Sequence, residues 1–254
     1  MFSHYSGALP DMTLPPPPLL PTDAALFLDF DGCLVEIAPR PDAVVVTQAL
    51  RDRLAALQDR QGGALALISG RDVADLRGHL GGFSGMIAGS HGSELSPAPG
   101  RIDTLHSVGV DAAALHAEAH ALAAPHPAIL VEEKPHGVAL HYRDDPSLQG
   151  FVEQTIQDMA ARHPHLMLQP AKMAMELRPG GVGKDSALAH LMTLPPYAGR
   201  IPVFAGDDTT DEPAMAEAQS RGGFAIKVGD GATAARYRLA DPSALAAWLD
   251  ASLT

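Results

Sequence analysis

Asp29 and Asp31, separated by one phenylalanine, end the apolar run Ala24 to Leu28 and precede Gly32. Side chains alternate along a strand, so positions 29 and 31 project to the same side, and the glycine lets the backbone turn sharply behind them. Two carboxylates that close disfavour joint ionisation unless a cation or a proton lies between them. The pair therefore predicts a metal site or an acid/base partnership. Taken alone, the stretch is equally compatible with an Asp-Gly turn whose carboxylates are solvated.

Other apolar runs also stop at reactive groups: 64–68 ends at Ser69, 201–205 precedes Asp207 and Asp208, and Lys184 opens a helical stretch. A hard ion such as Mg²⁺ takes carboxylate and carbonyl oxygens, which Asp29, the backbone carbonyl of Asp31, and Asp207 can supply. A phosphoryl group held there would present its negative charge to the Ser69 hydroxyl and the Lys184 ammonium. Asp29 is then the nucleophile, forming an aspartyl-phosphate that splits one hard step into two. Asp31 protonates the leaving oxygen and later deprotonates the attacking water.

Positioning these groups requires parallel strands. Residues 24–28, 64–68 and 85–88 read as short buried strands. Between them lie a helix capped by Thr47, with Leu50, Leu54 and Leu57 at helical spacing, and another through Val73, Leu76 and Leu80. After residue 180 the alternation resumes: helix 184–194, strand 201–205, helix 212–220, strand 223–228 and helix 243–253. This is the doubly wound α/β pattern, whose ligands gather beyond the carboxyl ends of the strands. The middle differs, with helix 110–123, strands 128–134 and 137–143, helix 147–163, and strands 166–169 and 173–178. Helix-strand-strand repeated twice predicts an α+β domain with one open sheet face, inserted over 97–180 between core segments 23–96 and 181–254. Residues 1–22, with MTLPPPPLLPT, read as a proline-rich tail or tether.

The formal net charge of −12 argues against a nucleic-acid surface or a polybasic membrane patch, and points to small solutes as partners. Cys33 is the single cysteine, which fits a reducing compartment, the cytoplasm by default. No signal-peptide pattern and no apolar run of about 18 residues is present.

Together DFDGC, ISGR, the lysine of GVGK and GDDTTDE resemble, in order, the four motifs of the haloacid dehalogenase-like phosphatases. With SHGSE, VEEK, HYR and MELRP in the same chain, the resemblance is more specifically to the trehalose-6-phosphate phosphatase family, over about 24–250. It implies a Rossmann-like core with an inserted cap that closes over the site, and Mg²⁺-dependent hydrolysis of a sugar phosphate, trehalose 6-phosphate. Carried onto matching positions, it makes Asp29 nucleophile, Asp31 acid/base, and Ser69, Gly70 and Lys184 phosphate ligands. Asp29, Asp31 and Asp207 become metal ligands. Asp208 would hold Lys184 or a metal-bound water, with Asp211 supporting. Arg71, His91, Glu132, Lys134, Arg143 and Glu176 are implied to bind substrate. Two departures stand out: Asp185 follows the motif lysine where a small residue is common, and Pro135 follows Lys134 where glycine is frequent.

Strand alternation sets Glu132 and Lys134 on one face, opposite Ile129 and Val131. It likewise sets Glu176 opposite Met173, Met175 and Leu177. These groups either meet sugar hydroxyls or form a solvated sheet face with paired charges. His141 and Arg143 share a strand face without an assigned role. GGVGKD lacks the glycine and Ser/Thr spacing of a Walker loop. His116 and His120 stand four apart without an evident third ligand, and Cys33 reads as packing. Readings that compete with trehalose 6-phosphate hydrolysis are a phosphatase for sucrose or glucosylglycerol phosphate, a phosphotransferring mutase, and a catalytically silent sugar-phosphate sensor.

Overall fold

The computed structural model describes residues 14–38, 40, 43–104, 111–171 and 173–254. In chain order the elements are β1 (Ala24–Leu28), α1 (Gln48–Arg60), β2 (Leu65–Ile68), α2 (Val73–Leu80), β3 (Met86–Gly89), β4 (Glu94–Ser96) and β5 (Asp103–Thr104). Then come α3 (Ala112–Ala123), β6 (Leu130–Lys134), β7 (Gly137–His141), α4 (Gln149–Arg162), β8 (Leu166–Ala171) and β9 (Ala174–Pro179). The chain finishes with α5 (Lys184–Leu191), β10 (Ile201–Gly206), α6 (Glu212–Ser220), β11 (Phe224–Val228), β12 (Tyr237–Leu239) and α7 (Pro242–Ala251). It divides into two compact units, residues 1–67 with 188–254, and residues 68–187.

In the first unit the strands follow the order β12-β11-β10-β1-β2, every neighbouring pair parallel. All five residues of β1 are fully buried, as expected for a strand covered on both faces. Burying Leu26, Phe27 or Leu28 contributes about 1.5 to 3 kcal/mol each. Phe27 stacks on Tyr197 at 5.6 Å between ring centroids, and the Tyr197 hydroxyl donates to the Leu65 carbonyl at 3.0 Å. From β1 the chain moves to β2 on one side, and β10 lies on the other. The strand order thus reverses between β1 and β10, and sheets of this kind bind ligands beyond the carboxyl ends of the strands at such a point. Thr47 caps α1 as its sequence predicts, its hydroxyl accepting from Leu50 N at 3.2 Å.

Residues 14–22, part of the stretch read as a tail, are fastened to this unit. Leu20 is buried, its N–H donates to Ser252 Oγ at 3.1 Å, and Trp248 Nε1 donates to the Pro18 carbonyl at 2.8 Å. Prolines donate nothing, but their carbonyls accept. Residues 1–13 lie outside the described residues.

The second unit holds β3, β4 and β5 in antiparallel pairing and a four-stranded antiparallel sheet, order β6-β7-β9-β8. Helices α3 and α4 cover one face of that sheet. Leu115 and Ala119 of α3 and Val152, Ile156 and Met159 of α4 pack with Val138, Leu140 and Leu177 in one core. The expected helix-strand-strand repeat is present, with α3 beginning at Ala112, because Asp111 caps it by accepting from Ala114 N at 3.0 Å. Val110, where the sequence set the helix start, lies outside the described residues. The two- and three-residue strands β4, β5 and β12 went unpredicted, being too short for alternation to register. Among the described residues no helix is long and apolar enough to cross a membrane.

Candidate active site

The predicted residues divide between the units. In the first, Asp29 follows β1 directly, and its N–H still donates to the Ala205 carbonyl of β10 at 2.9 Å. Residues 30–35 fold back on themselves, with Leu34 N donating to Phe30 O at 2.9 Å and Gly32 N to Val35 O at 2.8 Å. Gly32 adopts φ +71°, and a Cβ there would stand 2.0 Å from Asp207 Oδ2. Only glycine meets both demands, so the turn after β1 and the carboxylate after β10 are built against each other. Cys33 is buried with its thiol 3.4 Å from the Ala205 carbonyl, consistent with a packing role.

Beyond β10 a one-turn helix, Thr209–Asp211, leads into α6. Asp208 caps it, accepting from Thr209 N at 2.7 Å. Asp211 is fully buried and accepts from both Asp207 N and Asp208 N at 3.0 Å. Carboxylate oxygens of Asp29, Asp207 and Asp211 lie within 4.8 Å of one another. Three mostly buried anions in so small a space call for a cation, and an all-oxygen donor set fits a hard divalent ion such as Mg²⁺. The third carboxylate of this set is Asp211, which the sequence marked only as supporting; Asp31, half-buried after the same strand, was expected to contribute its backbone carbonyl and not its carboxylate.

Lys227, on β11, was missed by sequence reasoning. It is almost fully buried, and its ammonium donates to the Asp207 carbonyl and lies 3.8 Å from Glu212 Oε1. The only available signal was a lysine inside the apolar run FAIKV.

In the second unit the loop after β2 and the loop after β3 interlock. Ser69 is buried, its hydroxyl accepts from Arg71 N at 3.2 Å, and its carbonyl accepts from His91 N at 2.9 Å. Ser90 N donates to Arg71 O at 2.7 Å. Ser90 and His91 both take left-handed backbone conformations (φ 49° and 57°), an arrangement that non-glycine residues adopt only where surroundings enforce it. Gly70 lies so near the His91 imidazole that a Cβ would approach it to 2.8 Å. The Arg71 guanidinium pairs with Asp75 at 2.7 Å. Glu94, from the SHGSE stretch, accepts from Val73 N at the start of α2 at 3.0 Å, a positioning role the sequence did not reveal.

Lys184 is buried at the start of α5. On the sheet face away from α3 and α4, Glu132 and Glu176 flank Ala139 in register. Lys134 Nζ lies 3.5 Å from Glu132 Oε1 and 3.7 Å from Glu176 Oε2, and donates to the Gly70 carbonyl at 3.3 Å. His91 Nε2 is 3.5 Å from Glu176 Oε2. Burial pushes the His91 imidazole down, against the pull of Glu176 and helped by the charges of Lys184 and Arg178, so it is neutral near pH 7. Burial opposes charge on Lys134, yet Glu176 and Glu132 outweigh it and hold its ammonium protonated. Burial pushes Glu176 up, yet Lys134 and His91 together outweigh it and hold the carboxyl below the usual carboxylate range. The structure thus brings Gly70, His91, Lys134, Glu132 and Glu176 together. Arg143 stands just past β7, half-buried.

A model of the trehalose-phosphatase family matches residues 27–243, most of the chain, including Asp29, Ser69, Lys184, Asp207 and Glu176. The chain belongs to the trehalose-phosphatase family. It is similar to the trehalose-6-phosphate phosphatase of Escherichia coli (strain K12), with 36% identity over 92% of this chain and 88% of that protein. Similarity to a probable trehalose-phosphate phosphatase of Sinorhizobium fredii reaches 38% identity, covering 87% and 83%. Among solved structures, the C-terminal domain of a Candida albicans trehalose-6-phosphate phosphatase superposes with TM-score 0.80 at 21% identity, covering 91% of this chain and 93% of that one. A haloacid dehalogenase-like hydrolase from Bacteroides thetaiotaomicron superposes with TM-score 0.64 at 15% identity, covering 89% and 98%. These structural likenesses bear on the fold, a mixed α/β architecture with a parallel-sheet core.

Proposed function

We propose that this member of the family is a cytoplasmic phosphoric monoester hydrolase that converts trehalose 6-phosphate to trehalose and phosphate. The observation that carries the reading is the convergence of Asp29, Asp207 and Asp211 at the point where strand order reverses between β1 and β10. An Asp29 carboxylate oxygen attacks phosphorus while the bond from phosphorus to the sugar oxygen breaks, and that oxygen takes a proton from Asp31. Water then attacks the aspartyl-phosphate, Asp31 accepts its proton, and phosphate leaves. Ser69, Gly70 and Lys184 bind the phosphoryl oxygens, Lys184 as a buried, fixed positive charge. Asp29, Asp207 and Asp211, with the Asp31 carbonyl, would hold a divalent ion such as Mg²⁺, which would supply positive charge against the phosphoryl oxygens. Asp208 and Asp211 support the loop that presents Asp207.

Residues 97–180 act as a cap in this reading. Glu132, Lys134 and Glu176 receive sugar hydroxyls, with Arg71, His91 and Arg143 completing the substrate contacts. Cap closure then excludes water from the reaction. Phosphate release from a panel of sugar phosphates, with and without Mg²⁺, tests the assignment. Trehalose 6-phosphate should be the preferred substrate, Mg²⁺ should be required, and Asp29→Asn should abolish release. Comparable turnover of glucose 6-phosphate would overturn the substrate, and activity surviving Asp29→Asn would overturn the mechanism.

A further inference from the structure

We propose that His141 is a positioning residue for sugar recognition, clamping the Glu132 carboxylate in one orientation on the open sheet face. The inference rests on the reading of Glu132 as a sugar ligand given above. His141 ends β7 on the same face as Ala139, two residues away, and its direct neighbours on β6 and β9 are Leu130 and Ala174. It therefore reaches Glu132 diagonally, the second-closest cross-strand relation in an antiparallel sheet. His141 Nε2 donates to Glu132 Oε2 at 2.7 Å, a short, charge-assisted contact.

The other oxygen of Glu132 faces Lys134 at 3.5 Å. Each carboxylate oxygen thus has one partner, and the plane of the group is set by two anchors on opposite sides. The anchors differ in kind. Lys134 is divided between Glu132, Glu176 and the Gly70 carbonyl, and its flexible stem lets it favour any of them. The imidazole is rigid and directs its bond at Glu132. Glu132 is held far down, to about 2, since the His141 hydrogen bond and the Lys134 charge outweigh the opposing effect of burial. It is a permanent acceptor, with lone pairs on both oxygens left over for hydroxyl donors. Accepting from two sugar hydroxyls at once requires the carboxylate plane to be fixed before the sugar arrives; a freely rotating group loses that freedom on binding.

His141→Ala should raise KM for trehalose 6-phosphate about tenfold, the loss of one charge-assisted bond, with kcat changed less than about threefold. Hydrolysis of p-nitrophenyl phosphate, which carries no sugar, should be unaffected. His141→Gln, which returns a neutral N–H donor near the Nε2 position, should restore KM to within about threefold of the parent. In a double-mutant cycle, His141→Ala should add nothing to Glu132→Gln, because the anchor acts only through the carboxylate. Equal effects on the two substrates, full additivity in the cycle, or failure of the glutamine variant to rescue would each overturn the proposal. If the parent protein turns over p-nitrophenyl phosphate but not trehalose 6-phosphate, the substrate reading itself fails, an outcome distinct from a His141→Ala variant that matches the parent on both.

Discussion

Replacing Asp211 by asparagine separates its two roles. As a buried carboxylate it accepts from Asp207 N and Asp208 N, each at 3.0 Å. Asparagine keeps an acceptor oxygen but removes the charge assistance, a loss of about 1 kcal/mol per bond, or about 2 kcal/mol in total. Against this stands repulsion from Asp29 and Asp207, whose carboxylate oxygens lie within 4.8 Å. At an effective dielectric near 20 each such pair costs about 3 kcal/mol. Without divalent cation, Asp211→Asn should therefore be at least as stable as the parent, gaining as much as about 4 kcal/mol once both repulsions are relieved.

Mg²⁺ reverses the comparison. A ligand that binds only the folded state adds about 2.7 kcal/mol at one hundred times its Kd, and a hundredfold weaker site gains less than about 0.5 kcal/mol at the same concentration. Urea unfolding of both proteins, in EDTA and in a Mg²⁺ series, measures the two effects directly. The expected result is a variant equal or superior in EDTA whose Mg²⁺-dependent gain is largely lost. A variant destabilised by about 2 kcal/mol in EDTA, with an undiminished Mg²⁺ response, would show that Asp211 merely caps the turn and would refute the three-carboxylate site.

Three further outcomes follow from the same geometry. Glu132 drops from 4.5 to about 2 on folding while its side chain remains 30% exposed, so after discounting for solvent it contributes about 2 kcal/mol. Its depressed value makes that stability complete above about pH 4.5 and lost as pH falls toward 2. Urea titrations across this window should find a shallower acid limb in Glu132→Gln, and an unchanged limb would refute the assigned pairing. Gly32→Ala asks a β-carbon to occupy space 2.0 Å from Asp207 Oδ2 at φ +71°. Displacing the nucleophile turn by about 1 Å should cut kcat about a hundredfold, with only about 1 kcal/mol of backbone strain in unfolding. Lys227→Met removes the ammonium held by the Asp207 carbonyl and Glu212, and should cost about 2 to 3 kcal/mol by thermal unfolding and weaken Mg²⁺ binding by calorimetry. Parent-like Mg²⁺ affinity would make Lys227 purely structural.

Much of the architecture was legible because it rests on local periodicity. Every residue of β1 is apolar and every one is buried, and Thr47 caps its helix from a position where such a residue prefers to cap. Glu132, Lys134 and Glu176 share a sheet face because the two-residue period of a strand leaves them no choice. Elsewhere the local signal was misleading or too weak. The prolines before residue 22 read as a tail or tether without showing where it attaches; Leu20 is buried, because carbonyls and one apolar side chain suffice to dock a segment that cannot join a ladder. Asp211 reads locally as an acid in the first turn of a helix; its place beside Asp29 depends on a single turn of 3₁₀ geometry after β10.

The sequence by itself determined the residue chemistry: which strands end in acids, which helix opens with lysine, and which charges share a strand face. Those properties follow from side-chain type and spacings of two or 3.6 residues, within one element. Only the tertiary structure decided which elements become neighbours. That β10 pairs with β1, bringing Asp207 and Asp211 to Asp29 across some 180 residues of chain, and that His141 reaches Glu132 diagonally across a hairpin, are outcomes of strand order and register. Register and order are selected by the burial of whole faces at once, a collective property that no single stretch of sequence carries.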